Sequence, residues 1–235
     1  DVAPGVDLSI FAAGFRNTFD VLYTTRGDIY ATDNGPNAPF GAASTSATTQ
    51  GPAPDDSDEL NLIEVGRYFG HPNRNRGRYD DRQNVYHGSS EVPANGNFTQ
   101  LMTKFSPSTN GLLEYRANTF GGAMRGDLLA QQWNGTTYRV TLSPSGRTVE
   151  TKQSLPVDLE CLDIVTAPGG AIIGVDYTDN KLVLAQPIDS ATGLNVFDIR
   201  PWRALSSGGA PFVIGGKGFG TLANTQVTIG GIPAQ

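Results

Sequence analysis

Two stretches decide the fold: Arg16-Asn17-Thr18-Phe19-Asp20-Val21-Leu22-Tyr23-Thr24-Thr25-Arg26-Gly27-Asp28-Ile29-Tyr30-Ala31-Thr32, and Asp158-Leu159-Glu160-Cys161-Leu162-Asp163-Ile164-Val165-Thr166-Ala167-Pro168-Gly169-Gly170-Ala171-Ile172-Ile173-Gly174-Val175-Asp176. Each reads as a strand, a glycine turn and a second strand. β-Branched and aromatic residues fill the strands, and glycine supplies the φ > 0 geometry that a tight reversal needs. A third unit of this kind runs from Arg125 to Leu142, around the Asn134-Gly135 turn. Antiparallel units recurring along a chain predict the blades of a β-propeller, in which each sheet buries its faces on its neighbours. Val6 to Phe11 alternates apolar and polar residues and predicts a further strand. Two long insertions interrupt the pattern, from Asn37 to Ser57 and from His71 to Asn110.

The composition agrees with many short strands. Among 235 residues there are 29 glycines and 15 prolines, and only 38% are hydrophobic. No long amphipathic stretch predicts a helix, and no apolar run is long enough to span a membrane. A net charge of −6 and a pI near 4.8 disfavour nucleic acid as a partner. Cys161 is the lone cysteine; its apolar neighbours predict a buried, inert thiol. The chain opens at Asp1 and reads as a processed or fragmentary start. Asn97-Phe98-Thr99 and Asn134-Gly135-Thr136 are N-glycosylation triplets, and the segment from Gly41 to Pro54 suits O-glycosylation if the protein is exported.

The order Gly14-Phe15-Arg16-Asn17-Thr18-Phe19-Asp20, Asp33-Asn34-Gly35-Pro36-Asn37, Asp58-Glu59-Leu60-Asn61-Leu62-Ile63 and Gly70-His71-Pro72 resembles the glucose/sorbosone dehydrogenase family. The resemblance implies an all-β chain: about three blades of a six-bladed propeller over residues 1–199. After residue 200 the composition shifts. Ile214-Gly215-Gly216-Lys217-Gly218-Phe219-Gly220 and Val227-Thr228-Ile229-Gly230-Gly231 look like the first strands of an immunoglobulin-like IPT/TIG module over 200–235. Such a pairing suits an extracellular or cell-surface multidomain glycoprotein.

The family's best-known members carry pyrroloquinoline quinone and calcium. By resemblance, Gly35 and Pro36 match the turn whose carbonyls hold the calcium, and Arg16 and Asn17 match the pair facing the quinone. A turn held by Asp33 and Asn34, with Arg16 paired to a carboxylate, is the alternative reading. Glu59, Phe69 and one of Asp80 or Asp81 match a second family cation site. The acids Asp55, Asp56 and Asp58 need a cation; calcium is one answer, and the arginines from Arg74 to Arg82 are the favoured one. Gln132-Trp133-Asn134 and Glu160-Cys161-Leu162-Asp163 stand where the family places the cations that clamp the quinone, so these positions disfavour that cofactor. No catalytic base is placed: His71 and His87 read as surface or loop residues.

The expectation is therefore an extracellular structural or adhesion module without catalysis. Other copies or a neighbouring chain would complete the propeller and make an oligomer, and glycans or matrix would be partners. Trp133, Tyr138, Tyr79 and Tyr86 are candidate sugar-stacking rings. The alternative is a quinone- and calcium-dependent sugar dehydrogenase with a divergent site.

Overall fold

The computed structural model describes residues 5–35, 57–69, 99–167, 169–186 and 193–234. These residues form an all-β structure with three antiparallel sheets in succession. The first contains β1 (Thr18–Tyr23), β2 (Ile29–Asp33), β3 (Asp58–Ile63) and β4 (Thr103–Phe105), in that order. The second contains β5 (Thr109–Glu114), β6 (Leu128–Gln132), β7 (Gly135–Leu142) and β8 (Val149–Leu159). The third contains β9 (Cys161–Thr166), β10 (Ile172–Asp176) and β11 (Lys181–Ala185), ordered β11-β10-β9. β5 packs between β1 and β9. The leading strands of the sheets therefore lie side by side, as blades do in a partial propeller.

Strand β6 shows how one sequence serves two interfaces. Its successive side chains point to opposite faces. Leu128 enters a core with Tyr30, Leu60, Phe105, Leu112, Val140 and Leu142, between the first two sheets. Leu129 enters a second core with Leu113, Tyr115, Leu159, Cys161, Ile164 and Ile172, between the second and third. Each leading strand carries a register shift near its start: between Thr18 and Asp20, between Thr109 and Leu112, and opposite the Gly174–Asp176 step for β9. Such bulges bend a strand and re-aim its side chains.

Two expectations change. Val6, Leu8 and Ile10 form no strand and stand more than half exposed. Alternation makes a strand only where a partner ladder exists, and pairing begins later, where Ala13 bridges Tyr68. The insertion expected from His71 to Asn110 ends early, because β4 and the first residues of β5 fall inside that span. Thr109 and Asn110, the last residues of that expected insertion, are strand residues buried between sheets.

Near the C-terminus, β12 (Asn195–Arg200) pairs with β13 (Val213–Lys217), and β14 (Thr228–Ile229) with β15 (Ile232–Pro233). The β12–β13 pairing joins residues on either side of residue 200, with Arg200 opposite Val213. Arg116 forms an ion pair with Asp198 at 3.0 Å, and the Arg203 guanidinium lies 4.5 Å from the Tyr23 ring and 4.7 Å from the Trp202 ring. A cavity of about 970 Å³ separates this ribbon from the leading strands, lined by Leu22, Leu112, Ile164, Phe197 and Val213 among others.

Candidate functional site

The sequence-predicted residues Arg16, Asn17 and Gly35 meet at one rim of the first sheet. Asp33, the last residue of β2, organises the corner. Its carboxylate accepts the backbone N–H groups of Arg16 (3.1 Å) and Asn17 (2.8 Å) and the Thr18 hydroxyl (3.3 Å). The chain entering β1 is thereby tied to the chain leaving β2. The Arg16 guanidinium donates through Nη1 to the Asn34 carbonyl at 3.2 Å, and Asn17 Nδ2 donates to Asn34 Oδ1 at 3.0 Å. Asp33 and Asn34 thus tie this corner together, as the alternative reading expects; the residues that would complete the turn lie outside the described ones. Among the described residues, the guanidinium itself meets a carbonyl and no carboxylate.

The Asn34-Gly35 turn rests on Asp58, the first residue of β3. Asp58 Oδ1 accepts the Gly35 N–H at 2.8 Å, and Oδ2 accepts Asn34 Nδ2 at 2.7 Å and the Thr109 N–H at 2.6 Å. Asn34 Nδ2 also donates to the Thr109 carbonyl at 3.1 Å. Asp58 is 1% exposed. Burial pushes its carboxyl up to about 6, with Asp33 adding to the rise and the three donors opposing it. The crowding expected of Asp58 is therefore met by backbone and amide N–H donors. Asp55, Asp56 and the arginines from Arg74 to Arg82 lie outside the described residues.

The rim continues onto the second sheet. Trp133, 46% exposed, sits at the β6–β7 turn, and its backbone N–H donates to the Ser108 carbonyl at 3.0 Å. Gln132 is spent on the Pro107 carbonyl, and Tyr138 on Gln132 and Ser106. Asp158 lies directly over Gly135, where a Cβ would fall 1.9 Å from its carboxylate oxygen. Glu160 is exposed just beyond, between β8 and β9.

Glu59 does not join this corner. As the neighbour of Asp58 in a strand it faces the opposite side of the sheet, where it accepts Asn61 Nδ2 at 3.3 Å. Glu59 and Asn61 are both buried, and Asn61 Oδ1 has no hydrogen-bond partner among the described residues. Pro36, Asp80, Asp81, Asn97, His71, His87, Tyr79 and Tyr86 lie outside the described residues. Among the described residues, no three of His, Cys, Asp and Glu are grouped to hold a metal ion. No described helix is long and apolar enough to cross a membrane. Cys161 is buried as expected, and burial with Asp163 and Asp176 nearby pushes its thiol up to about 11.

Among the described residues, the corner offers groups that could hold a hard cation and an anion. No donor among the described residues reaches the Gly35 carbonyl, and carbonyl oxygens suit a hard cation. Arg16 commits one N–H to Asn34, which leaves donors for an anion. Sequence reasoning picked out Arg16, Asn17 and Gly35 but missed Asp58 and Thr109 as their supports. The one signal for Asp58 was a carboxylate heading a strand.

The sequence model of the glucose/sorbosone dehydrogenase family matches residues 2–184. No curated protein matches the chain. Among solved structures, the chain is similar to a glucose dehydrogenase at 19% identity and TM-score 0.49, covering 79% of this chain and 46% of that one. It is similar to the soluble aldose sugar dehydrogenase of Escherichia coli at 15% identity and TM-score 0.50, covering 79% and 49%. The PQQ-bound aldose sugar dehydrogenase of Streptomyces coelicolor matches at 17% identity and TM-score 0.44, covering 76% and 44%. The chain thus spans about half the length of the solved proteins it resembles.

Proposed function

Since the chain belongs to the glucose/sorbosone dehydrogenase family, we propose that it supplies three blades and one cofactor-facing corner to a quinone- and calcium-dependent sugar dehydrogenase. The observation that carries this is the corner itself: a guanidinium and a carbonyl that keep hydrogen-bonding capacity among the described residues, held by Asp33 and Asp58. When bound, the quinone would take up the two electrons and the protons released as a sugar hydroxyl becomes a carbonyl. The chain's own residues do the holding. Gly35 would offer its carbonyl to calcium, with Pro36 following. Arg16 would face the anionic quinone, and Asn17 would keep Asn34 in place. The half-exposed Trp133 on the same rim offers a flat face for a sugar ring.

The test is turnover of an aldose with an artificial electron acceptor after adding pyrroloquinoline quinone and calcium. Arg16→Ala is expected to lower the rate at least tenfold. A wild type that shows no turnover and binds no quinone by calorimetry would overturn the proposal.

A second reading keeps the propeller as a non-catalytic adhesion scaffold. Asp158 and the exposed Glu160 favour it, because they place negative charge on the rim that a trianionic quinone would approach. Family membership outweighs this observation. We further infer that the ribbons from β12 onward open an immunoglobulin-like module. More blades, from a neighbouring chain or another copy, would cover the outer face of the third sheet, where Val175 and Leu182 stand exposed. An extracellular setting would make Asn134, exposed at its hairpin tip, a glycan acceptor.

A further inference from the structure

We propose that Asp58 is a positioning residue for Arg16, acting through the plane of the Asn34–Gly35 peptide. The inference rests on the reading of this corner as the quinone-facing one. A trans peptide is planar, and its N–H and C=O point in opposite directions. Asp58 Oδ1 holds the N–H of this peptide at 2.8 Å. The carbonyl of the same peptide, Asn34 O, therefore points away from Asp58, and that carbonyl receives Arg16 Nη1 at 3.2 Å. One buried carboxylate thus sets the direction of the carbonyl that tethers the guanidinium.

Two further contacts make the arrangement rigid. Asp58 Oδ2 grips Asn34 Nδ2 at 2.7 Å, so side chain and peptide of Asn34 are held by one group. The same oxygen accepts the Thr109 N–H at 2.6 Å, from the first residue of the second sheet's leading strand. The orientation of Arg16 is thereby referred to the seam between two blades rather than to its own loop. Without the carboxylate, the peptide keeps its planarity but loses the reason to face one way. Arg16 would then sample other directions, and an anion would have to restore the order on binding.

Asp58→Asn keeps the side chain's shape and removes one acceptor. In the full chain with saturating calcium, it is expected to weaken pyrroloquinoline quinone binding at least tenfold by calorimetry. Arg16→Ala should weaken binding as well, and the double variant should lose no more than Arg16→Ala alone, because both changes remove the same contact. Fully additive losses, or unchanged affinity in Asp58→Asn, would overturn the inference. A second readout needs no cofactor. By NMR, the Gly35 amide should be protected from exchange in the wild type, and the Arg16 side-chain N–H signals should shift in Asp58→Asn. Rapid exchange of Gly35 in the wild type, or unmoved Arg16 signals in the variant, would also overturn it. A wild type that binds no quinone, yet shows the protected amide and the shifted signals, would sink the dehydrogenase reading and leave the positioning role intact.

Discussion

The seam between the first and second sheets and the seam between the second and third are closed by different means. The first is stitched along its whole length by directional bonds. Asp58 and Asn34 bind Thr109 at one rim, Asp20 Oδ2 accepts the Leu112 N–H at 2.8 Å in the middle, and Glu114 takes both the N–H and the hydroxyl of Thr25 at the far rim. The Tyr30 hydroxyl adds a bond to the Gly146 carbonyl at 2.9 Å. The second seam is closed by packing and close approach. Gly111 lies against Asp163 so tightly that a Cβ would fall 2.6 Å from the Asp163 Cα. Its polar ties among the described residues gather at Tyr115 and Thr119, which meet the Gly170 carbonyl. The candidate site sits at the stitched seam. Hydrogen bonds fix angles as well as distances, and a site built across two sheets needs both.

Leu128 and Leu129 test this contrast most directly, since adjacent residues of β6 enter the two different cores. Cavity cost depends on how far the surroundings can collapse. The stitched frame should collapse less, so Leu128→Ala is expected to cost about 4 kcal/mol and Leu129→Ala about 3 kcal/mol. The reverse order in urea unfolding would break the comparison.

Asp58 makes the stitched seam sensitive to pH. Its folded value of about 6 lies above the 3.8 expected when unfolded. Its contribution is thus fully present below about pH 4 and is lost as pH rises through about 6. A shift of about two units corresponds to about 3 kcal/mol. The difference in stability between wild type and Asp58→Asn, followed from pH 4 to pH 7, should show that slope; a flat difference would contradict it.

At the packed seam, Gly111→Ala should cost about 2 kcal/mol, because the new methyl meets backbone that cannot swing aside. An unchanged melting temperature would mean that the sheets approach less closely than described. Tyr30→Phe removes one bond of the stitched seam and should cost about 1 kcal/mol. Finally, with its thiol pushed up to about 11, Cys161 should resist alkylation at pH 8 in the folded protein and react on unfolding. Rapid native labelling would show that the packed seam opens.

Much of this architecture was legible in the residues. The strands around Gly27, Gly135 and the Gly169-Gly170 turn formed where alternation and turn chemistry placed them. Strand β5 was hidden because its first residues are polar and its glycine packs rather than turns. Strand β8 was hidden for a different reason: Val149–Leu159 is mostly exposed, carries Pro156 and lies at an edge, so no apolar face announces it. The Val6–Phe11 alternation was read as a strand that has no partner to pair with.

The sequence by itself determined the repeating strand-turn-strand units and the family, and the family resemblance singled out Arg16, Asn17 and Gly35 as candidates. Those depend on residue type at short spacing, which local order preserves. Only the tertiary structure decided what supports the corner. Asp58 is separated from Gly35 by 23 positions and from Thr109 by 51. Gly35 meets Asp58 because β2 pairs with β3, and Thr109 meets it because the second sheet stacks on the first; both depend on long-range packing rather than on any pattern along the chain.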